Sequence, residues 1–290
     1  MDFIAQSIVI GLTEHAPLVL AAIGFALIYR LTGLINVAYS ETITLGAYFG
    51  MWLNTTFELD FFAVLIPTAI MSGLLSVGTY LLVFRPAKQR GVGVLEMIII
   101  SFGLSIFLRH GLQFIFGYPR RFFDVPLADT IYILDVGISS FRLVALVSVI
   151  ILALLLYLFI QRTRYGLQAR ALAADENLAK VSGIQPLTVT LMIWFVAGVA
   201  GGLAGAFYGV SSSVAPLLGW QQFLFILLVV LVGGAWGLGG VIVVGLVTGI
   251  ALTAMALTFD HILYAHLVLI VGFIILLKWR GHKLAETVKV

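Results

Sequence analysis

Few side chains in this 290-residue sequence can do chemistry, and several of them interrupt otherwise apolar stretches. Asn36, Tyr39, Ser40 and Glu41 fall close together in one such interruption. An amide, a phenol, a hydroxyl and a carboxylate there offer hydrogen bonds and one negative charge. They suit a polar path through lipid, in which Glu41 could meet an ammonium group. A charge inside a membrane span is costly, which makes Glu41 a functional candidate by default. Ser40 or Asn36 is expected to cap a helix beginning near Glu41, and a first-turn acid suits that helix's dipole. The plainer alternative is an ordinary turn between two spans, with Glu41 among the headgroups. Arg109 and His110 lie within another apolar span. Arg109 is expected to snorkel toward the membrane surface or to enter a buried pair. Glu96 is one possible partner, although it lies on a different level.

No catalytic or metal-binding set accompanies these residues. His261 and His266 do not fit HExxH, and no Ser-His-Asp arrangement or suitably spaced pair of carboxylates is visible. The absence of cysteine excludes disulfides and thiolate chemistry. The Gly-rich run from Gly233 to Gly240 lacks the Lys-Ser/Thr that completes a phosphate-binding loop. Any ATP that drives this protein therefore binds another subunit. Gly198, Gly201, Gly202, Gly205 and Gly209 form three GxxxG pairs, which allow close helix contact in lipid. A hinge role is the alternative for them.

The elements that must position these residues follow from composition. The chain is 62% hydrophobic and only 10% charged, with mean hydropathy +1.15. A soluble domain carries roughly 25% charged residues, so this is an integral membrane protein. Its long apolar stretches do not alternate, which requires helices rather than a barrel. The expected fold is all-α: a polytopic helical membrane protein with about eight membrane helices, some short or broken, forming one domain over 1–290. Apolar stretches cover about 3–13, 16–30, 41–55, 61–84, 94–116, 142–160, 188–210, 221–232, 240–258 and 262–278. Glu14, His15 and Pro17 separate the first two, and the first is too short to span. A small hairpin is expected at 130–134. Met1-Asp2-Phe3-Ile4 lacks a basic region, so a cleaved signal peptide is not expected.

Orientation follows from Lys and Arg in short loops. Arg85, Lys88 and Arg90, then Arg162, Arg164, Arg170 and Lys180, then Lys278, Arg280, Lys283 and Lys289 mark three basic segments. These lie on the cytoplasmic side if 221–258 is two spans, and the C-terminus is then cytoplasmic. The 117–140 interval becomes an extracytoplasmic loop, against which Arg120 and Arg121 are a minor contradiction. Asp124, Asp129 and Asp135 in it could meet a basic partner; a solvated loop is the plainer alternative. The net charge of +3 does not point to nucleic acid.

The segment 161–187 is polar, Ala-rich and helical in pattern. Glu176 and Lys180 make an i,i+4 pair, Gly183 suits the position after a helix end, and Pro186 stops the helix. Such a helix can lie in a groove of another protein or on anionic lipid. Here the sequence resembles the branched-chain amino acid (LivH-type) permease family of bacterial ABC importers. Arg162-Thr163-Arg164-Tyr165-Gly166, Arg170-Ala171-Leu172-Ala173-Ala174-Asp175-Glu176 and Ala179-Lys180-Val181-Ser182-Gly183-Ile184 carry the resemblance. So do Gly33-Leu34-Ile35-Asn36-Val37-Ala38-Tyr39-Ser40-Glu41 and Leu45-Gly46-Ala47-Tyr48, with departures at Tyr39 and Ser40.

The resemblance implies a single transmembrane permease domain in a bacterial inner membrane. It implies an ATP-driven importer for branched-chain or other neutral amino acids. Residues 168–183 would dock into an ATPase through Arg170, Ala171, Ala174, Asp175, Glu176 and Gly183. The implied partners are a second related permease, two ATP-binding subunits carrying ATP-Mg, an extracytoplasmic substrate-binding protein and membrane lipid. No cofactor is expected on this chain. The alternatives are a urea or short-amide importer of the same family, and an ATP-independent channel or secondary transporter. An intramembrane enzyme would need a catalytic pair that is not seen.

Overall fold

The computed structural model describes residues 2–125, 130–133, 136–234, 237–259, 264, 266–275 and 278. Asp129, Asp135, Asp260, His261, part of the 233–240 turn and the basic tail beyond 278 lie outside the described residues.

α1 (Asp2–Thr32) is one continuous helix of 31 residues. This corrects the expectation of two stretches parted near Pro17. One proline removes a single backbone donor, and here the helix continues through it. Residues 16–28 are buried almost without interruption, so packing on both flanks favours the unbroken form. Glu14 continues the helix, as a good helix former does, and pairs with Arg142 at 2.9 Å. At about 1.5 Å per residue, α1 is longer than the ~30 Å hydrocarbon core.

α2 (Tyr39–Phe57) follows a non-helical stretch. α3 (Phe61–Thr79) continues through a π-helical turn, Tyr80–Phe84, into α4 (Arg85–Gln89). α5 (Val94–Phe116) is next. The expected hairpin is present as β1 (Thr130–Ile133) paired antiparallel with β2 (Val136–Ser139), with Thr130 opposite Ser139. α6 (Ser140–Arg162) leads to two short helices, α7 (Arg164–Ala174) and α8 (Glu176–Val181). The single helix expected there is broken at Asp175, whose carboxylate accepts from the amides of Asn177 and Leu178 at 2.8 and 2.9 Å. An aspartate that caps a new helix ends the old one. Gly183, at φ 81°, terminates α8, and Pro186 opens α9 (Pro186–Ser211). α10 (Leu218–Gly233), α11 (Leu238–Thr258) and the short apolar α12 (His266–Ile275) complete the order.

Among the described residues, six helices are long and apolar enough to cross a membrane, and α10 and α12 are shorter apolar helices. The protein is a polytopic helical membrane protein. α1, α2, α9 and α11 form its middle, with α3 against α9 and α6 against α1. Lipid supplies no hydrophobic drive between helices, so small residues decide how closely they approach. A Cβ on Gly11 would lie 2.7 Å from Ile250 Cα, and one on Gly249 would lie 2.7 Å from His15 Cβ.

The ends of the bundle differ in charge. Arg30, Arg85, Lys88, Arg162, Arg164, Arg170 and Lys180 gather at one end, which the Lys88–Glu176 pair and the Arg30 bond to the Gly234 carbonyl tie together. Glu58, Asp60 and Asp124 lie at the other. There Asn54 bonds the Leu59 and Asp124 backbone, and Arg121 exchanges backbone bonds with Val214.

Candidate functional site

The site grows from the end of α1. Gly33, at φ 65°, ends that helix and turns the chain back. Residues 34–38 then run into the bundle without helical bonds. Irregular backbone at this depth survives only inside protein or along a cavity. Leu34, Asn36 and Val37 are all buried, and the Val37 amide donates to Ser101 Oγ at 3.0 Å. α2 begins with no side-chain cap. Its first amides use turn carbonyls instead: Tyr39 to Asn36, Ser40 to Val37 and Glu41 to Ala38. The capping role expected of Ser40 or Asn36 is therefore corrected. Ser40 Oγ donates to the Val37 carbonyl at 2.8 Å and to Glu41 Oε1 at 3.1 Å, while Asn36 Oδ1 is buried without a partner.

Glu41 is fully buried and meets α5. Its Oε1 accepts from Ser105 Oγ at 2.8 Å, from Arg109 Nε at 3.2 Å and from Arg109 Nη2 at 2.6 Å. Its Oε2 has no partner. Ser105 is the central residue of α5, roughly 17 Å from either end at the helical rise. Glu41 therefore sits at mid-bundle, which rules out the headgroup alternative.

Arg109 neither snorkels nor meets Glu96; its partner is Glu41. The signal lay in spacing: Ser101, Ser105 and Arg109 recur every four residues on one face of α5. Ser101 meets Val37, and the other two meet Glu41. Arg109 also lies over Trp220, with its Cζ 4.7 Å from the ring centroid. That ring stands in the first turn of α10. Gly219 beside it has its amide on Thr44 Oγ1 at 3.1 Å and leaves no room for a side chain against the Ser40 carbonyl. Two helix N-termini thus meet at the ion pair, each adding partial positive charge.

Tyr39 is a strut in this structure. Its hydroxyl reaches the carbonyls of Ala21 and Ala197 at 3.0 and 3.3 Å, bracing α2 between α1 and α9. Gly24 and Gly201 leave space for its ring. The other glycines of α9 divide between neighbours. Gly198 and Gly202 lie against Ser72 of α3, and Gly205 lies against the Ile43 carbonyl of α2. A Cβ on Gly209 would come 2.8 Å from the Phe123 ring.

The 161–187 segment is clamped to the basic end. Thr163 caps α7 by accepting from the Gly166 amide at 3.2 Å. Arg170 donates to the Ile160 carbonyl at 2.6 Å and to Gln161 at 3.0 Å, satisfying acceptors at the end of α6. A cavity of about 350 Å³ beside it is lined by Arg30, Leu31, Ala169, Ala174 and Leu238 among others. Ala171 is half-buried. Glu176 pairs with Lys180 at 2.9 Å and Lys88 at 3.1 Å. These hydrogen bonds, Lys180 first, hold its carboxyl below the usual carboxylate range. Beside exposed Asn177 and Lys180, α8 presents two apolar side chains outward: Leu178 is 65% exposed and Val181 87%.

Discontinuous helices meeting in the middle of a membrane bundle recur in transporters. The comparisons give the family. The profile described as branched-chain amino acid transport system / permease component matches residues 7–277, and the chain belongs to that family. It is 24% identical over 266 residues to the high-affinity branched-chain amino acid transport system permease protein LivH of Salmonella typhimurium, covering 86% of this chain and 85% of that protein. It is 26% identical over 263 residues to the corresponding permease BraD of Pseudomonas aeruginosa, covering 85% and 84%. A probable LivH of Methanocaldococcus jannaschii is 25% identical over 241 residues, covering 81% and 75%. No solved structure matches. The chain is thus a permease of an ABC transport family.

Proposed function

We propose that this chain is the membrane-spanning permease subunit of an ATP-driven importer for branched-chain or other neutral amino acids. It forms the translocation path with a second, related permease in a bacterial inner membrane. Its basic end and C-terminus are cytoplasmic, by the excess of Lys and Arg there. Residues 168–183 couple it to two ATPase subunits, which carry ATP-Mg; the chain itself binds no cofactor. A substrate-binding protein docks at the opposite end, where Asp124 and Ser212 of the 211–219 stretch are exposed.

One observation carries the reading within the family: α8 exposes Leu178 and Val181, while Arg170 ties the preceding α7 to the end of α6, Asp175 caps α8 and Glu176 links it to Lys88 of α4. An apolar pair one helical turn apart on a rigid mount suits helix-in-groove docking. Asp175 and Glu176 also hold the helix, the first as its cap and the second through Lys88. The test is co-purification of a tagged chain from native membranes in mild detergent. Recovery of an ATPase and a second permease is expected, with the ATPase lost in Val181→Asp or Leu178→Asp at unchanged yield of the chain. A chain that purifies alone and moves amino acids in liposomes without ATP overturns the reading in favour of a channel or secondary transporter.

A further inference from the structure

We propose that Arg109 receives the substrate's carboxylate in the translocation path and that Trp220 walls the substrate's apolar side chain. The permease then passes small apolar carboxylates rather than urea or short amides. This rests on the importer reading above and adds to it the atoms that meet and select the cargo.

The first argument is depth. Arg109 lies four residues past the centre of α5, about 6 Å along the helix axis. Its side chain is 14% exposed. A guanidinium at this depth cannot turn its open edge to acyl chains, so that edge faces protein or a polar path.

The second argument is a count of donors. Nε and Nη2 are committed to Glu41 and Ser105. Nη1 has no acceptor among the described residues. Glu41 is committed on one side only: Oε1 takes every donor, and Oε2 is buried with none. Glu41 therefore orients Arg109 through two of its nitrogens and leaves the third, Nη1, uncommitted. The site retains one unused donor edge and one unused acceptor atom. An α-amino acid brings an acceptor and a donor of that kind, its carboxylate and its ammonium.

The third argument is the field. The N-termini of α2 and α10 meet beside the pair and each favours negative charge. Two helix ends and one arginine outweigh one carboxylate, so the site favours an anion. Its surroundings are apolar: Trp220, Phe102 and Ile106 are 37%, 45% and 40% exposed, and Phe102 packs on the Trp220 ring. A carboxylate on Arg109 places a short aliphatic group against that surface.

The experiment uses the complex with its partner subunits in lipid nanodiscs. Tryptophan emission is titrated with L-leucine, with 2-hydroxyisocaproate, which keeps the carboxylate but lacks the ammonium, and with leucinamide, which lacks the carboxylate. Leucine and the hydroxy acid are expected to shift the emission, and leucinamide to need about tenfold to a hundredfold more, the effect of losing one charge-assisted contact. Trp220→Phe removes the shift. Arg109→Lys weakens it, and Arg109→Gln abolishes it for both carboxylates. An equal response to leucinamide in the unaltered complex overturns the proposal whether or not any variant folds. So does an unchanged titration in Arg109→Gln, or no response to either carboxylate. ATP-driven leucine uptake by the unaltered complex is measured in parallel. Uptake with no carboxylate-dependent emission overturns this proposal alone. Uptake that proceeds without ATP overturns the importer reading, while a carboxylate-dependent emission still supports the site.

Discussion

Glu41 and Glu176 both meet cations, and their surroundings make the meetings different in kind. Glu41 lies at mid-bundle with no exposed surface, held by Arg109 and Ser105. Glu176 stands on a surface helix, shared between Lys88 and Lys180, each at least half exposed. Water screens the second pair and leaves it little net energy. The first is buried, so removing either partner leaves the other's charge uncompensated. The buried pair thus fixes a structure that cannot persist half-made, while the surface pair adjusts the hold on a helix already capped by Asp175.

The sharpest way to break the comparison is to remove one partner in each place. Glu41→Ala leaves Arg109 buried with no counter-charge. The expected cost is about 3–5 kcal/mol, read as a steep loss of folded protein and a lower Tm in detergent. The double change Glu41→Ala with Arg109→Met is expected to restore much of that loss, because no orphan charge remains. A double variant less stable than Glu41→Ala would show that the ion pair is not what holds α5 to the broken segment.

The glycines extend the contrast. Gly205 is needed for space, since a Cβ there would overlap the Ile43 carbonyl of α2. Gly183 is needed for conformation: it has open space around it but sits at φ 81°. Gly205→Val must push two helices apart, at a cost of about 1–3 kcal/mol or more. Gly183→Ala costs about 1–2 kcal/mol through backbone strain alone, and Gly183→Asn less, since asparagine tolerates that conformation. Thermal melts of the three variants check the order. Equal losses in Gly183→Asn and Gly183→Ala would rule out conformational strain as the cause.

These regions were unequally legible in the sequence. The 161–187 segment is governed by local rules, and its cap-like and i,i+4 residues could be read directly. Its break at Asp175 was missed because an aspartate inside an Ala-rich run reads as one more polar position. The depth of Glu41 was not legible, since it depends on α1 passing through Pro17 and on residues 34–38 turning back into the bundle. The Glu41–Arg109 pair joins residues 68 positions apart, and only the four-residue spacing of Ser101, Ser105 and Arg109 hinted at it. Helix existence followed from composition; helix depth required packing.

On the surface helix the larger of two small effects belongs to Asp175. Its carboxylate satisfies two orphan amides, so Asp175→Ala is expected to cost about 1 kcal/mol. Asp175→Asn, which keeps an acceptor oxygen, should cost much less. Amide exchange at Asn177 and Leu178 is the local readout, and protection unchanged in Asp175→Ala would remove the cap from the account.

The smallest effect is that of Glu176. Its two pairs are exposed, so Glu176→Gln is expected to cost at most about 1 kcal/mol and less in high salt. The sign with pH follows from its lowered pKa, caused first by the Lys180 hydrogen bond and then by that of Lys88. The folded carboxyl is depressed below its unfolded value, so its contribution is present in full above the unfolded pKa. It is lost as pH falls through the folded pKa. Proteolytic nicking of the 174–184 segment, followed from pH 7 down to pH 3, should accelerate in the unaltered chain as the carboxyl protonates. Glu176→Gln should be nicked somewhat faster at pH 7, with the difference vanishing in acid. A difference that grows in acid would mean that the lysines do not hold Glu176 ionised, and the surface pair would then lose even its modest part in fastening α8 to α4.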